Sequence, residues 1–145
     1  MTGSSSHKRV ETSGPAETEA VGRRLADDLV AGDLVFVSGE VGTGKTTLVR
    51  GACRGLGVRD DVVSPTFTIG RRYDEGRLPV SHLDLYRLAG LEGEDPGLLA
   101  DYISPDRVAF VEWPEHADAR LGDVTLRIAI AHRGGDRRLI EVTRP

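Results

Sequence analysis

The stretch Gly39-Glu40-Val41-Gly42-Thr43-Gly44-Lys45-Thr46-Thr47 decides how the rest of the chain is read. Before it stands an apolar run, Leu34-Val35-Phe36-Val37, too short for a helix and suited to a buried strand. After it, Leu48, Val49, Ala52, Cys53 and Leu56 recur at three- and four-residue spacing, which predicts one apolar helix face. Strand, glycine loop and helix form the setting in which G-x-x-x-x-G-K-[ST] predicts a phosphate cradle, or P-loop. Gly39, Gly42 and Gly44 accept backbone angles that a side chain forbids, so successive amides turn inward around an anion. The helix that follows adds unpaired N–H groups and the positive end of its dipole. In that arrangement Lys45 reaches the β- and γ-phosphates of a nucleoside triphosphate such as ATP, and the Thr46 hydroxyl meets Mg²⁺. Residues 39–47 are expected to line the nucleotide as a unit, with Glu40, Val41 and Thr43 acting through their amides and Thr47 in the first helical turn.

Working outward, 145 residues with 39% hydrophobic and 29% charged side chains read as a single globular domain, too short for a second catalytic unit. Residues 1–9 are polar and serine-rich and are expected to form a disordered leader, leaving 10–145 as one P-loop ATPase domain. The net charge of −4 argues against extensive direct contact with DNA or RNA, which needs a basic surface. Cys53 is the only cysteine, so an intrachain disulfide and a C-x-x-C metal site are excluded, and its place on the helix face predicts a small core residue. No run approaches the roughly 18 apolar residues of a membrane span, and the first 14 residues contain no signal-like apolar segment; a cytoplasmic location is expected.

The flanking elements follow from pattern. Residues 10–12 suggest a short edge strand, and Ser13-Gly14-Pro15 starts a helix carrying Val21, Leu25 and Leu29 to a stop near Gly32. Residues 66–73 and 78–85 read as strands of an antiparallel hairpin around Asp74-Glu75-Gly76. A short helix is expected over 96–102. Residues 124–130 and 138–142 alternate around Arg133-Gly134-Gly135-Asp136 as a closing hairpin with no chemistry assigned. The expected class is α/β, a three-layer P-loop NTPase-like fold with a mixed parallel and antiparallel sheet.

Three further clusters carry candidate chemistry. Ser64-Pro65-Thr66 presents hydroxyls at a strand entry, where a loop over a nucleotide could use them. His82, Asp84 and Tyr86 alternate along a strand; they form either a solvated face or, for Asp84, a carboxylate near the γ-phosphate that positions water or links to Mg²⁺. Val108-Ala109-Phe110-Val111-Glu112 is a buried run ending in an acid, the pattern of a Walker B strand whose carboxylate meets Mg²⁺ directly or through water. Trp113, beside that acid, is a core anchor or a stacking lid.

Taken in order, the P-loop, S-P-T, H-x-D-L-Y-R (residues 82–87) and V-E-W-P-E (residues 111–115) resemble the TsaE (YjeE) family over residues 15–130. That resemblance implies a small bacterial ATPase of tRNA N6-threonylcarbamoyladenosine biosynthesis. It implies binding of ATP and Mg²⁺, slow hydrolysis, and action on a TsaB–TsaD protein complex, with tRNA met only through that complex. It further implies that Lys45 is the phosphate lysine, Thr46 the magnesium hydroxyl, Thr66 a switch-like threonine, Asp84 and Glu112 the catalytic acids, Trp113 the adjoining aromatic, and Thr18 a neighbour of the base. Two other readings stay open on the residues alone. One is a small-molecule or nucleoside kinase, which the short, acidic residues 88–105 serve poorly as a lid. The other is a nucleotide-gated binding module that needs no hydrolysis.

Overall fold

Consecutive apolar positions in β2 (Leu34–Ser38) and β5 (Val108–Glu112) call for cover on both sides of the chain, and both strands lie at the centre of a sheet. The computed structural model describes residues 6–63, 70–86, 101–116 and 121–145. Among these, seven strands form one sheet in the order β1-β7-β6-β2-β5-β4-β3. The remaining strands are β1 (Ser6–Thr12), β3 (Gly70–Tyr73), β4 (Val80–Asp84), β6 (Leu126–His132) and β7 (Arg138–Arg144). The inner set β6-β2-β5-β4 is parallel; β3 joins β4, β7 joins β6 and β1 joins β7 by antiparallel pairing. The expected mixed sheet is thus present. Its cause is two hairpins, one at each edge of a parallel centre.

Residues 6–9, expected to belong to a disordered leader, are instead paired: Ser6 to Thr12 run opposite Arg144 to Arg138. The polar alternation that hid this strand is what an edge strand with one solvated face looks like. The helix expected over residues 96–102 and the Ser64-Pro65-Thr66 cluster lie outside the described residues, apart from a turn at Asp101 and Tyr102.

Helices α1 (Pro15–Leu25) and α2 (Lys45–Gly55) cover one face of the sheet. Pro15 occupies the first turn of α1, where its missing N–H costs nothing, and the Ser13 N–H donates to the Glu17 carboxylate at 3.0 Å. The helix tightens into a 3₁₀ turn at Ala26–Asp28, which lets Leu29 enter the core. Beneath the helices Val35, Val37, Val80, Phe110, Ile128 and Ile140 form the larger core. On the opposite face Leu34, Phe36, Leu83, Ala109 and Val111 pack under Leu121, with Tyr102, Ile103 and Val124 half-buried against them. A mixed sheet with cover on both faces matches the expected α/β class.

Cys53 is fully buried on the inner face of α2, and burial pushes its thiol pKa up to about 12, against a small opposing effect of Arg54. A neutral, enclosed thiol neither attacks nor ligates. Native protein at pH 8 is therefore expected to resist a thiol-exchange reagent and to react fully once unfolded in guanidinium. Rapid stoichiometric labelling of the folded protein, followed by absorbance, would refute the core assignment.

Candidate nucleotide and metal site

Parallel strands deliver their carboxyl ends to one edge of the sheet, and ligands of open α/β sheets bind in the crevice there. Here β2 runs straight into residues 39–44, β4 ends at Asp84 and β5 ends at Glu112. Sheet register sets Glu112 beside Val37 on one side and beside Asp84 on the other. Two carboxylates and the glycine loop are thereby gathered from three separate stretches of sequence. The β6–β7 hairpin adds its turn to the same edge, as does the β1–α1 connection: Thr12 is the register partner of Arg138.

The loop closes on itself. The Thr43 hydroxyl donates to the Glu40 carbonyl at 2.8 Å, and Lys45 Nζ donates to the carbonyls of Gly39 and Glu40 at 2.7 and 2.9 Å. Gly44 takes φ of 104° immediately before α2, in the left-handed region that a side chain strains. Glu40 and Val41 are exposed at the loop tip, consistent with positions that act through their amides. Lys45 itself is buried, and burial lowers its ammonium pKa, opposed by Glu112, Asp84 and Glu115. Its Nζ stands 4.4 Å from the centre of the Trp113 ring, a cation–π contact.

Glu112 is buried at the centre of the edge, and its Oε2 accepts two bonds: from the Thr46 hydroxyl at 2.8 Å and from His82 Nε2 at 2.6 Å. A carboxylate only accepts, so the imidazole donates through Nε2. His82 is completely buried, which corrects the solvated-face reading for that residue, while Asp84 is half-buried and Tyr86 exposed. That face of β4 packs beneath the helices with Phe110 and Glu112, because β4 has a neighbour strand on each side and cover above. Among the described residues His82 Nδ1 meets no hydrogen-bond partner. Asp84 is half-buried at the strand end, where its Oδ1 accepts the Tyr86 N–H at 3.0 Å. Tyr86 lies beyond the strand and is exposed; its ring packs 4.8 Å from that of Trp113.

Trp113 carries φ of 59°, the only positive φ outside glycine among the described residues. For so bulky a residue this stores on the order of 1–3 kcal/mol. The strain turns the chain sharply after Glu112 and leaves the indole half-buried over Lys45, so both expectations for this residue, core packing and stacking at the site, describe part of it.

Beside the loop lies a hollow of about 150 Å³ lined by Gly14, Pro15, Thr18, Gly42, Gly44 and Thr47, together with Thr43, Asp136 and Arg138. Thr18 is buried there, its hydroxyl bonded to that of Thr12 at 2.9 Å. The structure thus brings Thr18, the loop and Thr47 to one hollow, and Lys45, Thr46, Asp84, Glu112 and Trp113 to the adjoining edge. Thr66 lies outside the described residues. Sequence reading missed His82 as a partner of Glu112, and it missed Asp136 and Arg138 altogether. The H-x-D spacing held a signal for the first, since residues two apart on a strand share a face; an arginine at the start of a hairpin strand carried none.

Comparison with known proteins bears on this geometry. The family model described as threonylcarbamoyl adenosine biosynthesis protein TsaE matches residues 12–140. The tRNA threonylcarbamoyladenosine biosynthesis protein TsaE of Bacillus subtilis is 39% identical over 132 residues, covering 91% of this chain and 82% of that protein. The protein of the same description from Streptomyces coelicolor is 48% identical over 118 residues, covering 80% of each. The crystal structure of Bacillus subtilis YdiB superposes with a TM-score of 0.81 at 32% identity, covering 99% of this chain and 88% of that one. With the match extending from the end of β1 to the middle of β7, the chain belongs to the TsaE family, whose members serve tRNA threonylcarbamoyladenosine biosynthesis.

Proposed function

We propose that residues 10–145 act as one ATPase domain in the cytoplasm, binding ATP with Mg²⁺ and hydrolysing it slowly in support of N6-threonylcarbamoyladenosine formation at tRNA position 37 on a TsaB–TsaD complex. The observation that carries this reading is the contact of the Thr46 hydroxyl with the Glu112 carboxylate at 2.8 Å, directly behind a glycine loop and beside Lys45. Mg²⁺ prefers oxygen donors and usually takes one or two from protein, completing its shell with phosphate and water. A hydroxyl and a carboxylate already in contact fit that demand, and they are the residues that would hold the ion. When bound, it neutralises charge developing on the phosphates.

The chain's own residues do the rest. Amides of residues 39–47 hold the phosphates, and Lys45 places a compact charge against the β- and γ-oxygens. His82 keeps the Glu112 carboxylate turned toward Thr46. Asp84, next to Glu112 across the strand pair, orients the attacking water, with Thr66 as the alternative; Trp113 and Tyr86 shield the edge from bulk solvent. Thr18 borders the hollow that receives the nucleoside. Phosphoryl transfer of this kind rests on positioning and charge neutralisation, so intrinsic turnover is slow until a partner or a residue such as Arg87 supplies a further cation. The chain's net charge of −4 supports contact with tRNA through the complex rather than directly.

ATP consumption measured with and without TsaB–TsaD tests this reading. Strong stimulation by the pair is expected. Asp84→Ala is expected to lower the stimulated turnover on the order of a hundredfold, within the range for general acid–base groups, while changing the nucleotide dissociation constant by less than about threefold. Equal losses in both would make Asp84 a binding residue. A phosphorylated metabolite formed without the pair would replace the proposal with a kinase.

A further inference from the structure

Arg138, at the start of β7, spends all three guanidinium nitrogens on backbone carbonyls. Nε donates to Thr43 at 3.1 Å and Nη2 to Gly42 at 3.3 Å, while Nη1 donates to Gly135 at 2.8 Å and Arg137 at 2.9 Å. One edge of the planar fork therefore grips two successive peptides of the glycine loop, and the opposite corner grips the β6–β7 turn. A trans peptide points its N–H away from its C=O. With the Thr43 carbonyl turned to Arg138, the Gly44 amide is turned to the opposite side, at the start of α2. The clamp arises from topology: the β6–β7 turn lies at the carboxyl edge of the sheet, and Arg138 pairs with Thr12 just ahead of the residues that border the hollow.

We propose that Arg138 is a positioning residue for the phosphate cradle: it fixes the peptides on either side of Thr43 and so presets the Gly44 amide to meet a polyphosphate without reordering. The proposal rests on the nucleotide reading above and adds to it a device in the closing hairpin. A glycine-rich loop has much conformational freedom to lose on binding, and prior ordering removes that cost. The geometry also sets what can replace the residue. Lysine restores the positive charge but, as a single ammonium, cannot hold two adjacent carbonyls and a turn together.

The test compares wild type, Arg138→Gln and Arg138→Lys for binding of ATP and of inorganic tripolyphosphate by titration calorimetry, with thermal melts of each. Arg138 is half-buried at the first position of β7, so both variants are expected to melt within a few degrees of wild type. Both are expected to bind ATP and tripolyphosphate about tenfold more weakly, by the same factor for the two ligands, the order expected when loop preorganisation is lost. Four results overturn the proposal: variants that bind both ligands like wild type, a lysine variant that binds like wild type and so reduces Arg138 to its charge, a loss confined to ATP that makes Arg138 a nucleoside contact, or variants that do not fold. Wild type failing to bind either ligand is a separate outcome, which removes the nucleotide reading itself.

Discussion

Lys45→Ala is expected to weaken ATP binding at least about thirtyfold and to reduce hydrolysis to background. Truncating one partner of a buried, hydrogen-bonded charge pair typically costs about 2–5 kcal/mol, and 2 kcal/mol is already a factor of about thirty. Without ligand, Lys45 Nζ rests on the carbonyls of Gly39 and Glu40 and against the Trp113 ring, so the variant also loses the contacts that fold the loop tip back on α2. Burial lowers the ammonium pKa, and the neighbouring Glu112, Asp84 and Glu115 offset that only in part. Lys45→Met, which keeps length and apolar packing while removing charge, separates the two effects: its melting temperature should approach wild type while its ATP affinity stays low. Titration calorimetry giving either variant an affinity within threefold of wild type would falsify the phosphate role.

Gly51→Ala is expected to destabilise the fold by about 2 kcal/mol or more and to lower the urea midpoint accordingly. Helix propensity alone predicts the reverse, since alanine is better than glycine in a helix interior by about 1 kcal/mol. Packing decides the sign. A Cβ on Gly51 would lie 1.9 Å from the backbone oxygen of Glu19 in α1, and one on Gly22 would lie 2.1 Å from that of Leu48 in α2. Neither obstacle is a side chain that can swing away, so the helices must separate, and with them the cover over Val35, Val37 and Phe110. Because α2 begins at Lys45, the same separation displaces the loop, and ATP affinity should fall together with stability. A midpoint equal to or above wild type would show that the α1–α2 crossing yields more easily than its backbone contacts imply.

These two positions differ in how much of their role can be read from the chain itself. Lys45 stands in a pattern whose chemistry is local: glycines that permit a turn, a cation and a hydroxyl spaced to meet phosphate and metal, all within nine residues. Glu112 was legible for a related reason, since a buried apolar run that ends in an acid needs a use for that acid. Gly22 and Gly51 were silent, because a glycine required by close backbone approach looks in sequence like any weak helix former. His82 had two readings while its strand's neighbours were unknown; pairing β4 between β3 and β5 removed the solvated one.

By itself the sequence determined the α/β class with its mixed sheet and the family, because the first rests on periods that repeat along single segments and the second on short motifs taken in order. Tertiary structure alone decided which distant groups meet: Glu112 on Thr46 and His82, Trp113 over Lys45, and Arg138 on the carbonyls of Gly42 and Thr43. The physical reason is the sheet. Register and strand order bring side chains together across separations of tens of residues, and no local pattern encodes which carboxyl ends will share an edge.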